Sequence, residues 1–211
     1  MNNPDETALS GEPPVSDECY NRTVDECADE GRNQIISNAL PEHARYLMSR
    51  MLRKARSRIR LYSGSLEQSV QSPQGCGTAA PAPVRVYADP DLLAAVEEFL
   101  RVEGHALSIL VQKDVDGGVE DHPLVCLVQD LKARGDLRGS FELKRLNGEQ
   151  AKINNHFMVM DDTAYRFELD HNPCRAQANF GDSKTAQALA DLFDNFLLPA
   201  ATALNVESAA A

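Results

Sequence analysis

The pattern of apolar residues changes its period several times along the chain, and this alternation constrains the fold most. Between Ala44 and Ala55, apolar residues recur at spacings of three and four, which predicts an amphipathic helix. Three short segments predict strands at 58–63, where Ile59, Leu61 and Tyr62 are the apolar residues, at 106–111, which is of the buried type, and at 140–146. Strands that alternate with helices favour a three-layer α/β/α sandwich with a mixed sheet.

Cap and turn residues place the later elements. Asp89 is suited to cap a second helix, and Pro123 suits the first turn of a third. Residues 156–160 and 164–169 predict a hairpin, and a last helix is expected to end at Leu197. The predicted order is therefore α-β-α-β-α-β-β-β-α, with no internal repeat.

The first 34 residues are strongly acidic. They contain nine Asp or Glu and two Arg, a net charge of −7, whereas the whole chain of 211 residues carries −11. This segment has few large apolar residues and no helical or strand period, so burial cannot offset the entropy lost on ordering. Residues 1–34 are therefore predicted to be a disordered acidic tail, and residues 35–211 a single α/β domain.

Several sequence features favour a cytoplasmic protein without a bound metal or cofactor. No run of about 18 apolar residues is present to span a membrane, and no secretory signal peptide is recognisable. Five cysteines at scattered spacings suit reduced thiols better than a disulfide framework. The sequence has no His-x-x-x-His or Cys-x-x-Cys spacing and no glycine-rich nucleotide-binding loop.

The first predicted helix and the strand after it are basic. This basic segment holds seven basic residues within sixteen positions: Arg45, Arg50, Arg53, Lys54, Arg56, Arg58 and Arg60. Two interpretations remain open. It is either a solvated helix face, which is the commoner arrangement, or a surface that binds phosphate, DNA, RNA or a partner. The acidic tail could cover such a surface in cis.

The signature strand of the phospholipase D superfamily resembles the segment NNHFMVMDD of this chain. The family pattern is His, any residue, Lys, four residues and Asp, with six more residues before a Gly-Ser pair. With Asp161 at the Asp position, the nucleophilic His position falls on Asn154 and the Lys position on His156. The Gly-Ser pair falls on Glu168 and Leu169.

This resemblance implies both a fold and a lost reaction. In the family, the histidine attacks phosphorus to form a phosphohistidine, while lysine and a hydroxyl hold the phosphate oxygens. Asn154 has no nucleophilic nitrogen, and a carboxylate at Glu168 would repel a phosphate. The resemblance therefore implies one half of a phospholipase D-like fold without phosphodiesterase activity. It also implies a homodimer, because family members with one half often pair across their signature strands.

Charged side chains are expected to cluster beside this segment. On a strand, Arg166, Glu168 and Asp170 share one face. One interpretation, which we favour, is a structural ion pair between Arg166 and a carboxylate. The other is a remnant pocket in which His156 and Arg166 bind an anionic group, with His171 nearby.

Three functions of different classes are compatible with these features. The first, which we favour, is a non-catalytic phospholipase D-like module that acts as an adaptor or regulator through protein partners. The second is a nucleic-acid- or phosphate-binding protein that uses the basic segment, namely Arg45, Arg50, Arg53, Lys54, Arg56 and Arg58. The third is a divergent phosphodiesterase or nuclease with His156 as general base beside Glu168 or Asp161.

Overall fold

The computed structural model describes residues 17–38, 40–66, 69–70, 84–113, 118–170 and 175–204. The helices in these ranges are α1 (Asp17–Glu30), α2 (Pro41–Lys54), α3 (Pro90–Leu100), α4 (Pro123–Arg134) and α5 (Ser183–Leu192). The strands are β1 (Ile36–Asn38), β2 (Arg58–Ser63), β3 (Ser69–Val70), β4 (Val84–Arg85), β5 (Ala106–Val111), β6 (Ser140–Leu146), β7 (Phe157–Met160), β8 (Ala164–Asp170), β9 (Arg175–Asn179) and β10 (Ala201–Ala203).

Eight of the strands form one mixed sheet in the order β1-β9-β8-β7-β2-β5-β6-β10. β2, β5 and β6 run parallel, and the other neighbouring pairs of the sheet are antiparallel. The parallel strands lie where the sequence predicts them. In β2 and β5, five of six residues are buried, and most of the buried residues are apolar.

Helices cover both faces of the sheet. α1, α2, α3 and α4 bury apolar side chains such as Leu47, Phe99 and Leu131 against one face. α5 and a π-helical turn, Phe193–Leu197, pack against the other face around Tyr62. This arrangement confirms the predicted three-layer sandwich with a mixed sheet.

The structure differs from the sequence prediction at α1. Disorder is predicted throughout residues 1–34, but α1 is a helix, and Tyr20, Val24 and Cys27 are buried along one side of it. The prediction is wrong there because three apolar side chains in an acidic sequence are too few to give a visible period. Residues 1–16 lie outside the described residues, and the remaining division of the chain at residue 34 stays a prediction.

Three strands at or near the sheet edges are also absent from the sequence prediction. β1 and β10 have three residues each and β9 has five, too few to show a period of two.

The last predicted helix covers both α5 and the π-helical turn that follows it. The predicted end at Leu197 is therefore that of the turn, since α5 itself ends at Leu192.

Candidate functional site

The signature hairpin carries a buried triad of His156, Arg166 and Glu168. His156 immediately precedes β7, and its carbonyl oxygen accepts a hydrogen bond from the Glu168 amide on β8 at 2.8 Å. The side chains meet in the same place. His156 Nδ1 lies 3.0 Å from Glu168 Oε2, and Arg166 Nη1 donates to Glu168 Oε1 at 2.9 Å. The predicted ion pair between Arg166 and a carboxylate is therefore confirmed, with Glu168 as its partner.

Glu168 is a carboxylate in this environment. Burial alone would raise the pKa of Glu168, since the charged form loses its hydration. Hydrogen bonds from His156 and Arg166, together with the charge of Arg166, outweigh burial and lower the pKa to about 2. The triad thus places a fixed negative charge between two basic side chains.

Gln112 holds the other side of the His156 ring. The Gln112 amide nitrogen donates to the carbonyl oxygens of Ala151 and Ile153 at 2.9 and 2.7 Å, which orients the amide. Its oxygen then lies 3.2 Å from His156 Nε2. Carboxylate and amide oxygens only accept hydrogen bonds, so both contacts are satisfied when both ring nitrogens carry protons. Each ring nitrogen of His156 therefore faces an acceptor oxygen, and a singly protonated ring can donate to only one of the two.

A cleft of about 490 Å³ opens beside His156. It is lined by Gly64, Ser65, Gln112, Lys113, Ala151, Asn154 and His156. Gly64 and Gln112 directly follow the parallel strands β2 and β5, so the cleft lies at their carboxyl ends, a common site for ligands in α/β sheets. A Cβ atom at Gly64 would come within 2.7 Å of His156 Cε1. The absence of a side chain at Gly64 therefore allows the imidazole its position.

The described residues that line the cleft do not include a histidine at the nucleophile position of the family signature. Asn154 lines it at the nucleophile position, but an amide nitrogen has its lone pair delocalised and cannot attack phosphorus. Arg166 is buried within the triad and is not among the lining residues, and its role in binding an anionic group stays a prediction. The side chains in the cleft that can donate hydrogen bonds to a ligand include those of Ser65, Lys113 and Asn154.

Asp161 lies at the opposite end of β7 from His156 and has a structural role. Its carboxylate accepts hydrogen bonds from the amides of Arg56, Ser57 and Arg58, each at 2.9 Å. Asp161 also has a φ of 50°, in the left-handed region, at the turn of the hairpin. The signature aspartate thus fastens the hairpin turn to the start of β2. His171 lies outside the described residues.

The basic segment is largely neutralised by carboxylates. The hydrogen bond from Lys54 lowers the pKa of Asp29, and that from Arg53 lowers the pKa of Asp91, as expected for ion pairs. The pairs are Arg45 with Glu42 and Asp89, Arg50 with Asp25 and Asp29, Arg53 with Asp91 and Glu98, Lys54 with Asp29, Arg58 with Asp194, and Arg60 with Asp162 and Asp194.

Arg56 differs from its neighbours. It is exposed, and within the described ranges its guanidinium has no ion pair. Five of the six basic residues considered for nucleic-acid binding therefore already have carboxylate partners. Binding of DNA or RNA by this segment stays a prediction.

The sequence analysis misses the residues that hold His156. Gln112 and Gly64 carry no motif, and their only signal is that each follows a predicted buried strand. In the described part of the chain, no group of three His, Cys, Asp or Glu side chains is arranged to hold a metal. Among these same residues, no helix has the length and apolar character needed to cross a membrane.

Comparisons with known proteins show similarity at the level of structure. No protein-family model matches the chain, and no curated protein matches it. Phosphatidylserine synthase from Haemophilus influenzae Rd KW20 superposes with a TM-score of 0.53 and 12% identity over 90% of this chain and 45% of that protein. At this identity the likeness shows the fold alone, and it is consistent with the phospholipase D-like fold that the signature segment predicts.

Two further solved structures match with lower TM-scores. NucT from Helicobacter pylori gives 0.49 at 12% identity over 82% of this chain and 99% of that one. TrmBL2, an archaeal chromatin protein whose structure shows a novel mode of DNA binding, gives 0.48 at 14% identity over 89% of this chain. The chain spans 62% of TrmBL2 and, as above, less than half of the synthase.

Proposed function

We propose that this protein is a non-catalytic phospholipase D-like module that acts as an adaptor or regulator through protein partners. One observation carries the proposal. The side chain at the lysine position of the signature, His156, is locked into a buried triad by Glu168 and on its other side by Gln112. The position two residues earlier, where the family has its nucleophile, is Asn154.

The chemistry of the family reaction supports this interpretation. Covalent catalysis at phosphorus requires an unprotonated ring nitrogen that can form a bond and then accept water in its place. Asn154 cannot supply one, and both nitrogens of His156 face hydrogen-bond acceptors. The described lining of the cleft has hydrogen-bond donors but no histidine at the nucleophile position, which suits recognition of an anionic group on a partner rather than its cleavage.

The proposal includes a homodimer, because the resemblance implies pairing across the signature strands. Binding to DNA or RNA through the basic segment is the alternative. Ion pairs with α1, α3 and the π-helical turn count against it, because a phosphate backbone would have to compete with carboxylates already in place.

A titration against labelled DNA and RNA at two salt concentrations, with Mg²⁺ present and the products separated on a gel, tests the proposal. We expect no cleavage by the wild-type protein and weak binding at low salt. Cleavage that is lost in His156→Ala and kept in His105→Ala would contradict it. His105 is the matched control, because it packs beside Phe99 and not in the cleft.

A further inference from the structure

α1 lies on α2 in the manner of a helical ligand in a groove. Its buried side chains Tyr20, Val24 and Cys27 are spaced i, i+4 and i+7, the spacing of anchors in helix-in-groove recognition. The Tyr20 ring stacks on the His43 ring of α2, with centroids 3.7 Å apart. Apart from these anchors, α1 is polar and acidic.

Charge complementarity surrounds the anchors. Asp25 Oδ1 accepts from Tyr46 Oη at 2.8 Å and lies 2.7 Å from Arg50 Nε. Asp29 Oδ1 lies 2.6 Å from Lys54 Nζ and 3.0 Å from Arg50 Nη2. The carboxylates of α1 thus meet a row of basic and hydroxyl groups on one side of α2.

The chain after α1 is anchored separately from it. The Arg32 amide donates to the Cys27 carbonyl at 3.0 Å, and Gly31 between them has a φ of 61°, so the helix is closed by its own residues. Beyond that point, Asn179 Nδ2 donates to Asn33 Oδ1 at 2.8 Å, and β1 pairs with β9. Departure of α1 from α2 therefore does not require β1 to leave the sheet.

We propose that the face of α2 formed by His43, Tyr46, Arg50 and Lys54 is a docking groove for an acidic amphipathic helix of a partner protein. α1 occupies this groove in cis and competes with the partner. The partner helix carries apolar anchors at i, i+4 and i+7, with carboxylates beside the second and third anchors. This inference rests on the proposed function, since it names the partner of a module that acts through proteins.

A peptide of residues 17–30, labelled with a fluorophore and kept reduced, serves as the probe. Its binding to full-length protein is measured by fluorescence anisotropy, with the wild type compared with the double variant Asp25→Asn, Asp29→Asn. The two substitutions weaken the contacts of α1 with α2 within the protein, whereas the probe peptide keeps both carboxylates. We expect the variant to bind the probe about tenfold more tightly, because its own α1, which competes with the probe, has lost several surface ion pairs with α2. Glu98→Gln, which removes a partner of Arg53 on α3, is the control and should leave probe binding unchanged.

Changes in the probe itself provide a test that cannot misfold the protein. A peptide with lysine at both aspartate positions should lose binding to the double variant. The inference is overturned if the probe binds wild type and double variant equally, or if native and charge-reversed peptides bind equally. These readouts are independent of phosphodiester cleavage, so failure of the docking inference and failure of the non-catalytic proposal are distinguishable.

Discussion

Glu168 stands between two basic side chains in a site that is almost completely buried. Arg166 and Glu168 are each 5% exposed, so their mutual contacts replace hydration on both partners. A buried ion pair of this kind adds little stability over an apolar pair, but removal of one partner leaves an uncompensated charge. Removal of one side chain of the triad is therefore expected to lower the free energy of unfolding by a large amount.

Replacement of Glu168 tests that cost. We expect Glu168→Gln to lower the free energy of unfolding by about 3–5 kcal/mol, because Arg166 and His156 lose their common carboxylate. Urea denaturation measures the change. Glu149→Gln is the control, since Glu149 pairs with Lys152 at an exposed site, and it should cost less than about 1 kcal/mol. Equal effects of the two substitutions would show that the triad is not a buried ion network.

The same carboxylate gives a pH dependence with a defined sign. The pKa of Glu168 is lowered to about 2 in the folded protein, and that of an unfolded Glu is about 4.3. The unfolded state therefore takes up the proton first, so the contribution of Glu168 is complete above about pH 4.3 and is lost as the pH falls toward 2. It amounts to about 3 kcal/mol. The difference in unfolding free energy between wild type and Glu168→Gln should narrow on acidification, and a difference that stays constant would contradict the assignment.

At the scale of elements, the π-helical turn after α5 fastens one helix layer to the sheet. Asp194 in this turn accepts hydrogen bonds from Arg60 Nε at 3.0 Å and Arg60 Nη2 at 2.8 Å. Arg60 is buried on β2, and its Nη1 donates to the Asp161 carbonyl at 2.9 Å. π-helical turns re-aim side chains relative to a regular helix. Here the turn presents a carboxylate to a buried arginine.

Removal of Asp194 tests this element contact. We expect Asp194→Ala to destabilise the fold by about 3 kcal/mol, because Arg60 stays buried with only part of its hydrogen bonding. Thermal and urea denaturation report the loss. Asp191→Ala, an exposed position on α5, is the matched control, with an expected change within about 0.5 kcal/mol. If the two variants were equally stable, the turn would not fasten α5 through Arg60.

Local sequence patterns predict some elements and not others for physical reasons. β2 and β5 are predictable because apolar residues such as Ile59, Leu61 and Leu107 recur along strands that are buried over nearly their whole length. α1 is not, because its three anchors gain their burial from the rest of the core, including α2, which no local pattern records. In the same way, the alternation of side chains along a strand predicts that Arg166 and Glu168 share a face, but only the pairing of β2 with both β5 and β7 brings Gln112 to His156.

At the scale of the whole molecule, the mixed sheet and its helix layers bring the charged side chains of the protein together in pairs and networks. The sheet order places the signature hairpin next to β2, so the cleft, the triad and Gln112 meet at one end of the sheet. Carboxylates from α1, α3 and the π-helical turn neutralise the basic segment at other surfaces. Many charged side chains of this protein thus form ion pairs between its own elements. Among these elements, α1 has the contacts that most resemble those of a separate helical partner.

The protonation of His156 tests the central claim most directly, because nucleophilic or general-base chemistry at this residue requires a ring nitrogen without a proton. Long-range ¹H–¹⁵N spectra of the folded protein at neutral pH, with His156→Gln used to assign the signals, report both ring nitrogens. We predict an imidazolium protonated at Nδ1 and Nε2, held by Glu168 and Gln112. A neutral ring with an unprotonated nitrogen would contradict this account and restore His156 as a candidate catalytic base.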